Sequence, residues 1–512
     1  MRSRRLVFLR VLSQSVFLLF FVYVLWSTTY PLTGGVSPNV LFWADPLLVL
    51  LTGAHHIPRA LGVSAAFLAL TLLLGRFFCG WVCPLGSSSD LAARLAGRAG
   101  PGGRPFRRAR RIKYILLGAL VILAAAGLQL AWVFDPVVIS ARFVSLNLIP
   151  AVVKSADAAL VWLIRILGFY GPLYDFYRVL KEGPLGVNAR FFGHTLIVLA
   201  VFLGILAAGL FYRRVWCRTL CPLGALYALL ARFARLRRVT PGCVECGRCA
   251  AECRMAAIRE DGSYDAGECI LCMDCVYDCT TGGTAFSFRP PRTAEPAGTA
   301  PAEPTAQGLT RGQFLGLVAV SAPALARAAG ESSLTVRKPG AGLLRPPGAL
   351  PEAEFVDRCV RCGNCMKVCL TNGLQPVLFE AGARGMWTPR LVPVIGNCSY
   401  NCNQCGQVCP VSAIEPLPIE RKREFRIGLA RVDGEICIPW SRGRECLVCE
   451  EHCPVPDKAI KRERVPGRRD GLCGPRVEES LCIGCGLCEN KCPLRPERAI
   501  KVGRSDRGPG LS

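Results

Sequence analysis

Long apolar runs in the first half of the chain predict a helical membrane domain. Four runs carry no Asp, Glu, Lys or Arg: Val11–Tyr30, Ala60–Gly75, Tyr114–Phe134 and Phe191–Tyr212. A helix that spans a membrane needs about 17–25 residues, and the second run reaches this length when it continues through Phe78. A fifth apolar stretch, Phe143–Gly168, is interrupted by Lys154, Asp157 and Arg165. We therefore expect it to form an amphipathic helix at the membrane surface.

Basic segments between these runs predict their orientation. The N-terminus, Arg76–Lys113 and Arg213–Arg238 are rich in Lys and Arg, and the positive-inside rule places all three in the cytoplasm. This arrangement requires an even number of crossings between them, which the four uncharged runs supply. The same segments account for much of the net charge of +25. We therefore expect membrane lipid as a partner and no nucleic acid.

Each half of the helical region carries one motif, Cys-x-x-x-Cys-Pro-Leu-Gly. Its cysteines, here called the membrane thiols, are Cys79, Cys83, Cys217 and Cys221. Each motif follows the second helix of a pair, and each pair has an Asp-Pro on its outer side, at Asp45 and Asp135. The repeat predicts a duplicated helical hairpin that brings the four thiols together, since residues four apart share a helix face. Metal binding, a redox pair, docking for a cluster and plain packing stay open as their role.

The remaining cysteines dominate the chemistry of the chain, which has 29 in all. Most are separated from the next cysteine by only two or three residues, and a disulfide framework does not need such tight steps. The six sets of four are Cys243, Cys246, Cys249 and Cys253; Cys269, Cys272, Cys275 and Cys279; Cys359, Cys362, Cys365 and Cys369; Cys398, Cys402, Cys405 and Cys409; Cys437, Cys446, Cys449 and Cys453; and Cys482, Cys485, Cys488 and Cys492. Thiolate suits iron–sulfur clusters and zinc, but zinc sites usually appear as separated Cys-x-x-Cys pairs. Six tandem sets predict [4Fe–4S] clusters, about six in all.

The first two sets have the spacing of bacterial ferredoxins, in which the fourth cysteine of one run binds the other cluster. We therefore expect Cys279 to complete the first set and Cys253 to complete the second. Arg254 and Thr280 stand where a proline usually follows the fourth cysteine. The pairing within the last four sets stays open, and Cys473 belongs to none of them.

These patterns together predict the fold class and the domains. We expect an α-helical membrane bundle, four helices in a duplicated hairpin, followed by α+β ferredoxin domains of the bacterial type. The predicted domains are a transmembrane domain at 1–238, a two-cluster ferredoxin domain at 239–288, a linker at 289–350, a four-cluster ferredoxin domain at 351–502 and a tail at 503–512.

The motifs carry a resemblance to two known families. Residues 1–290 resemble the NapH-type membrane ferredoxins of periplasmic nitrate reductase systems, and residues 310–512 resemble the NapG-type four-cluster ferredoxins that partner them. The resemblance implies a protein of the bacterial inner membrane that oxidises quinol and delivers electrons to a reductase or cytochrome acceptor. It implies an electron carrier, with quinol dehydrogenase activity left open and no catalytic residue assigned. A redox maturation factor for a metalloenzyme and a membrane redox sensor are the alternatives.

Two further expectations depend on this resemblance. Asp45 and Asp135 are candidate acceptors of quinol protons, with helix capping as the alternative. Thr310–Gly316 resembles a twin-arginine export signal reduced to one arginine, Arg311. If Arg311–Ala329 works as a signal, the four-cluster domain is exported. We expect the first ferredoxin domain in the cytoplasm and the second in the periplasm.

Overall fold

The computed structural model describes residues 2–28, 36–54, 57–97, 109–167, 171–182, 191–259, 262–288, 343–466, 471–504 and 510–511. The chain divides into two compact units. Unit 1 comprises Met1–Tyr23, Val40–Ser140 and Leu199–Leu334, and unit 2 comprises Val24–Asn39, Ala141–Val198 and Thr335–Ser512. The predicted export signal Arg311–Ala329 lies outside the described residues.

The first half of the chain is helical. Its helices are α1 (Arg2–Ser27), α2 (Asn39–Trp43), α3 (Pro46–Leu51), α4 (Pro58–Leu74), α5 (Phe77–Trp81), α6 (Pro84–Leu95), α7 (Arg110–Ala125), α8 (Ala131–Phe134), α9 (Pro136–Phe143), α10 (Ile149–Leu167), α11 (Pro172–Glu182), α12 (Thr195–Phe211), α13 (Val215–Thr219) and α14 (Pro222–Ala231). A π-helical segment, Val144–Leu148, joins α9 to α10. Proline opens several of these helices, including α3, α4, α6 and α14, because its fixed φ suits the first helical position.

Among the described residues, two helical segments are long and apolar enough to cross a membrane, Arg4–Ser27 and Pro136–Ile166. Pro58–Leu74 and Phe77–Leu95 pass the same test as a pair that is bent by 93°. Gly75 stands at the bend with a φ of +89°, a conformation that glycine adopts without steric cost. Thr195–Phe211 is a shorter apolar helix.

The helices differ in two respects from the four predicted spans. The third run divides into α7 and α8, and the predicted surface stretch Phe143–Gly168 belongs to a longer apolar helix that begins at Pro136. The charges of this helix have partners on α11: Asp157 lies 2.8 Å from Lys181 Nζ and accepts a hydrogen bond from the Tyr177 hydroxyl at 2.9 Å. These contacts let a charged face persist on an otherwise apolar helix.

The first ferredoxin region lies in unit 1 and is small. Strand β1 (Arg237–Val239) pairs antiparallel with β2 (Ala285–Ser287), and α15 (Arg248–Glu252) and α16 (Asp274–Tyr277) lie between them in the chain. The two strands close the cysteine-bearing segment at its ends.

The second ferredoxin region lies in unit 2. Its helices are Glu352–Arg358, Asn364–Val368, Gln404–Gln407, Ile419–Glu424, Val448–Glu451 and Leu487–Lys491, with a 3₁₀ turn at Ala383–Gly385 and a π-helical turn at Ile438–Arg442. Its strands are β3 (Leu374–Pro376), β4 (Pro389–Leu391), β5 (Phe425–Arg426), β6 (Leu429–Val432), β7 (Ile460–Arg464), β8 (Cys473–Val477), β9 (Ile500–Gly503) and β10 (Gly510–Leu511). They form four antiparallel pairs, β3–β4, β5–β10, β6–β9 and β7–β8. Buried cysteines, among them Cys437, Cys449 and Cys482, share one hydrophobic core with residues such as Leu344 and Met366.

Candidate iron–sulfur centres

The cysteine runs with strict spacing share one local backbone geometry. In four runs, the residues two and four positions after the first cysteine have positive φ: Glu245 and Gly247, Leu271 and Met273, Arg361 and Gly363, and Gly484 and Gly486. A short helix then begins five positions after the first cysteine, at Arg248, Asp274, Asn364 and Leu487. The spacing thus curls the backbone around one point, and the first three thiols of the runs that begin at Cys359 and Cys482 each line one cavity.

Unit 2 contains cavities that are each lined by four cysteines. Site A is lined by Cys369, Cys398, Cys402 and Cys405. Site B is lined by Cys359, Cys362, Cys365 and Cys409. The first two runs of this domain therefore exchange their fourth cysteines, a pairing that the sequence left open.

The last two runs show the same exchange. Site C is lined by Cys453, Cys482, Cys485 and Cys488. Site D is defined by electrostatic interactions: Cys437 interacts with Cys446 and Cys492, and Cys449 interacts with Cys437 and Cys446. Cys473 lies in β8 and is in none of these groups.

The four sites follow one another in a row. Cys365 of site B interacts with Cys405 of site A. The Cys398 amide of site A donates to the Cys485 carbonyl of site C at 2.8 Å. Cys488 of site C interacts with Cys449 of site D. The order B, A, C, D differs from the order of the runs in the sequence.

Unit 1 brings Cys253 to the second run of its ferredoxin region. Cys269, Cys272 and Cys275 each interact electrostatically with Cys253, in the pairing that the spacing predicts. Backbone amides also point at these sulfurs: Ala257 N donates to Cys253 Sγ at 3.2 Å and Leu271 N to Cys269 Sγ at 3.4 Å. Such hydrogen bonds stabilise the negative charge that cluster thiolates carry. In the other set, Cys243 and Cys246 are exposed and Cys249 and Cys279 are half-buried.

The described residues contain no group of three or more His, Cys, Asp or Glu side chains arranged around the position of a single metal ion. The cysteine sets fit a larger group, since four thiols line one cavity at each of sites A, B and C. A [4Fe–4S] cluster bound there would take one thiolate from each of four cysteines.

A buried carboxylate anchors the first ferredoxin region to the helices of unit 1. Glu268, next to Cys269, pairs with Arg76 Nη1 (3.0 Å) and Lys113 Nζ (2.6 Å) and accepts from the Tyr114 hydroxyl (3.0 Å). Burial alone would raise the pKa of the Glu268 carboxyl, but Lys113 and Arg76 outweigh it and lower that pKa to about 2. The carboxylate is therefore held in its charged form.

A second ion-pair group explains why a proline is missing after Cys253. Arg254, which stands in that position, pairs with Asp90 (3.1 Å) and with Asp274. Arg10 on α1 donates to Asp274 and to the carbonyl of Cys272, both at 2.7 Å. The departure from the ferredoxin pattern thus supplies a contact with the helices.

The four membrane thiols are buried together in unit 1, each between 4 % and 7 % exposed. Arg76 and Arg214, which sequence reasoning missed, contact them. A signal was present, because each arginine stands three positions before the first cysteine of its motif.

The two Asp-Pro positions cap helices, as one of the two interpretations held. Asp45 Oδ1 accepts from Leu47 N (3.0 Å) and Leu48 N (3.1 Å). Asp135 Oδ1 accepts from two amides of α9, each at 2.9 Å. Both side chains are fully buried, and the two carboxyl groups lie close enough to affect each other electrostatically. His55 and His56, which stand in the same predicted outer region, lie outside the described residues.

Fold and sites together define an iron–sulfur electron-transfer protein of the ferredoxin type with apolar helices. The family described as "4Fe-4S binding domain" matches residues 57–111 and 195–240, and a second family of the same description matches residues 475–495. No solved structure is significantly similar to the chain.

Curated relatives identify the family. The methylamine utilization ferredoxin-type protein MauM of Methylophilus methylotrophus is 35% identical over 173 residues, which cover 33% of this chain and 75% of the relative. The ferredoxin-type protein NapG of Escherichia coli is 38% identical over 165 residues, 31% of this chain and 69% of the relative. The putative electron transport protein YccM of Escherichia coli is 29% identical over 248 residues, 45% of this chain and 57% of the relative. The chain belongs to the family of ferredoxin-type proteins that includes MauM and NapG.

Proposed function

We propose that this chain takes electrons from membrane quinol and passes them through about six [4Fe–4S] clusters to a respiratory reductase. Each bound cluster supplies a one-electron carrier. The observation that carries the proposal is a contact within unit 1, between the first Cys-x-x-x-Cys-Pro motif and the loop that carries Cys269 and Cys272. This contact joins the apolar helices directly to a candidate cluster site.

The contact involves backbone on both sides. Trp81 Nε1 donates to the carbonyl of Leu271 at 3.0 Å. A Cβ on Gly80 would lie only 2.0 Å from the carbonyl oxygen of Ile270, so no side chain separates the two loops there. Electrons that enter the helical region therefore have a short covalent and hydrogen-bonded route to the Cys269 loop.

Quinol oxidation also requires a proton acceptor, because two protons leave with the two electrons. Asp45 and Asp135 supply a candidate, since both carboxyl groups are fully buried and lie near each other. Two neighbouring buried carboxylates disfavour a double negative charge, so the pair is suited to taking up a proton. The hydroxyl of the buried Tyr227 donates to the Ala44 carbonyl (3.3 Å), next to Asp45, and extends this polar group.

The second ferredoxin domain is proposed to lie on the outer side of the membrane. Within unit 2, Lys367 donates to the Leu25 carbonyl and the Thr28 hydroxyl at the end of α1. Arg142 Nε donates to the Arg361 carbonyl at 2.9 Å. The positive-inside rule assigns the basic N-terminus to the cytoplasm and hence the end of α1 to the outer side, so the Lys367 contacts support a domain that binds there.

The path within that domain follows from the order of its sites. Because sites B, A, C and D form a row, we propose that electrons pass through them in sequence, with site B nearest to the helices. The position of Gly363, beside Cys362, supports the placement of site B close to the helices. A Cβ on Gly363 would lie 3.1 Å from the Leu146 side chain.

The donor is tested with the full chain in proteoliposomes. A menaquinol analogue is expected to bleach the cluster absorbance anaerobically. Asp45→Asn and Asp135→Asn are expected to slow this reaction while reduction by dithionite and iron content stay unchanged. Asp175→Asn, an exposed carboxylate on α11, is the matched control. If no quinol reduces the clusters while dithionite does, the donor assignment is wrong.

The side of the second domain is tested separately. A tag placed after Ser512 is expected to be labelled by a membrane-impermeant reagent in intact spheroplasts. Labelling only after lysis would place this domain in the cytoplasm.

A further inference from the structure

The four membrane thiols form a group that the six ferredoxin sets do not include. Each of the four interacts electrostatically with the three others: Cys83 with Cys79 and Cys217, Cys217 with Cys79, and Cys221 with all three. The two motifs stand more than a hundred residues apart in the chain. The duplicated fold thus assembles a four-thiol group from two separate halves.

The second thiol of each motif lies at the start of a helix. Gly224 N donates to Cys221 Sγ at 3.2 Å, at the N-terminus of α14. Cys83 stands at the equivalent position, at the N-terminus of α6. The positive end of a helix dipole therefore lies near both sulfurs and favours negative charge there.

Two arginines cross between the halves in a reciprocal pattern. Arg76 interacts with Cys79 of its own motif and with Cys221 of the other, and its Nη2 lies 3.9 Å from Cys79 Sγ. Arg214 interacts with Cys217 of its own motif and with Cys83 of the other. Each pair of thiols therefore has one guanidinium.

The motif glycines make room for these guanidinium groups. A Cβ on Gly86 would lie 3.0 Å from Arg214 Nη1, and a Cβ on Gly224 would lie 2.9 Å from Arg76 Nη2. The glycine that ends each motif is thus explained by the arginine of the other motif.

Positive charge is in excess around the thiols. Arg76 and Lys113 share the single carboxylate of Glu268. Such a buried cation without its own counter-ion is costly unless an anion lies nearby. A neutral group of four packed thiols does not supply one.

The second arginine is in the same situation. Arg214, Arg254 and Arg10, three cations, form ion pairs with two carboxylates, Asp90 and Asp274. Each group therefore retains one positive charge. A [4Fe–4S] core with four thiolates carries about two negative charges in its oxidised state, which matches this excess.

We propose that the four membrane thiols hold one further [4Fe–4S] cluster, with Arg76 and Arg214 as the positioning cations that balance its charge. This proposal rests on the proposed function, in which the site accepts one electron at a time from quinol oxidation and passes it to the site of Cys253, Cys269, Cys272 and Cys275. No bond forms or breaks in that transfer. A zinc ion would fit the charge equally, but it has no redox chemistry, whereas the motif loop touches the Cys269 loop directly.

The first test is cluster content of the full chain, purified anaerobically. Wild type is expected to hold roughly 28 iron and 28 sulfide, and Cys79→Ala/Cys217→Ala roughly 24 of each, by four per cluster. Cys473→Ala is the matched control and should match wild type. Equal iron in wild type and the double variant overturns the proposal. So does the loss of about one zinc per chain, or a disulfide between motif cysteines in the purified protein.

The second test uses variants that keep all four thiols, and it decides the matter if the double variant does not accumulate. Arg76→Gln and Arg214→Gln should each lower the midpoint potential of one cluster signal in an EPR-monitored titration, because an added electron loses a neighbouring cation. Arg235→Gln, an exposed arginine, is the control. Potentials that are all unchanged in both variants overturn the proposal. If the double variant loses about four iron but quinol reduces no cluster in the wild-type protein, this cluster is supported and only the quinol donor is wrong.

Discussion

Replacing Gly80 by alanine tests whether the contact between motif and ferredoxin loop carries the electrons. The added Cβ would lie 2.0 Å from the Ile270 carbonyl oxygen and 3.2 Å from its carbonyl carbon, whereas Cβ contacts below 3.0 Å are essentially never seen. The two backbones must therefore separate by about 1 Å or more, since neither atom belongs to a flexible side chain. Overpacking of this kind costs about 1–3 kcal/mol.

The expected result is slower transfer with an assembled protein. Gly80→Ala should contain as much iron as wild type, because it changes no cysteine, and dithionite should reduce it fully. Reduction by quinol in proteoliposomes, followed by anaerobic stopped-flow absorbance, should be markedly slower. Gly62→Ala on α4, where a Cβ would meet nothing within 4 Å, is the matched control. Wild-type quinol kinetics in Gly80→Ala would refute this contact as the route.

Three further predictions follow from the described sites. Cys369→Ala/Cys398→Ala should lose one cluster, about four iron, because both cysteines line site A. Cys369→Ala/Cys359→Ala should lose two clusters, about eight iron, because these cysteines line different sites. Equal iron losses in the two variants would contradict the exchange of fourth cysteines. Glu268→Gln leaves Arg76 and Lys113 buried without their carboxylate and should weaken the docking of the first ferredoxin region by about 3–5 kcal/mol. The expected result is faster cleavage of this region by trypsin in detergent. Glu252→Gln, in an exposed ion pair with Arg213, is the control and should change the cleavage rate little. Lys367→Met removes the donor to the Leu25 carbonyl and should cost about 1–3 kcal/mol, measured as a lower temperature of iron release; an unchanged temperature would show that this buried contact adds nothing to stability.

The sequence alone predicted the features that depend on neighbours along the chain. Cysteines three or four positions apart predict a cluster run because three thiols and a short helix fit one backbone turn, as the repeated positive φ values at Leu271 and Arg361 illustrate. Apolar runs predict helices for the same local reason. The ferredoxin type, the helical region and the choice of iron–sulfur chemistry were accessible in this way.

Tertiary structure decided what depends on distant residues. The exchange of Cys369 and Cys409 between sites A and B requires two runs to fold against each other, and no spacing encodes which runs do so. The course of the helices also changed: α7 ends at Ala125 and Pro136–Ile166 forms one long apolar helix, because packing and the lateral partners of its charges, not hydropathy alone, decide where a helix continues.

The membrane thiols show both contributions at once. The duplicated motif was visible in the sequence, and so was an arginine three positions before each first cysteine. That Arg76 reaches Cys221 and Arg214 reaches Cys83 depends on contacts between residues more than a hundred positions apart. Only the folded chain brings these charges together, because burial makes each of them need a partner that local sequence does not contain.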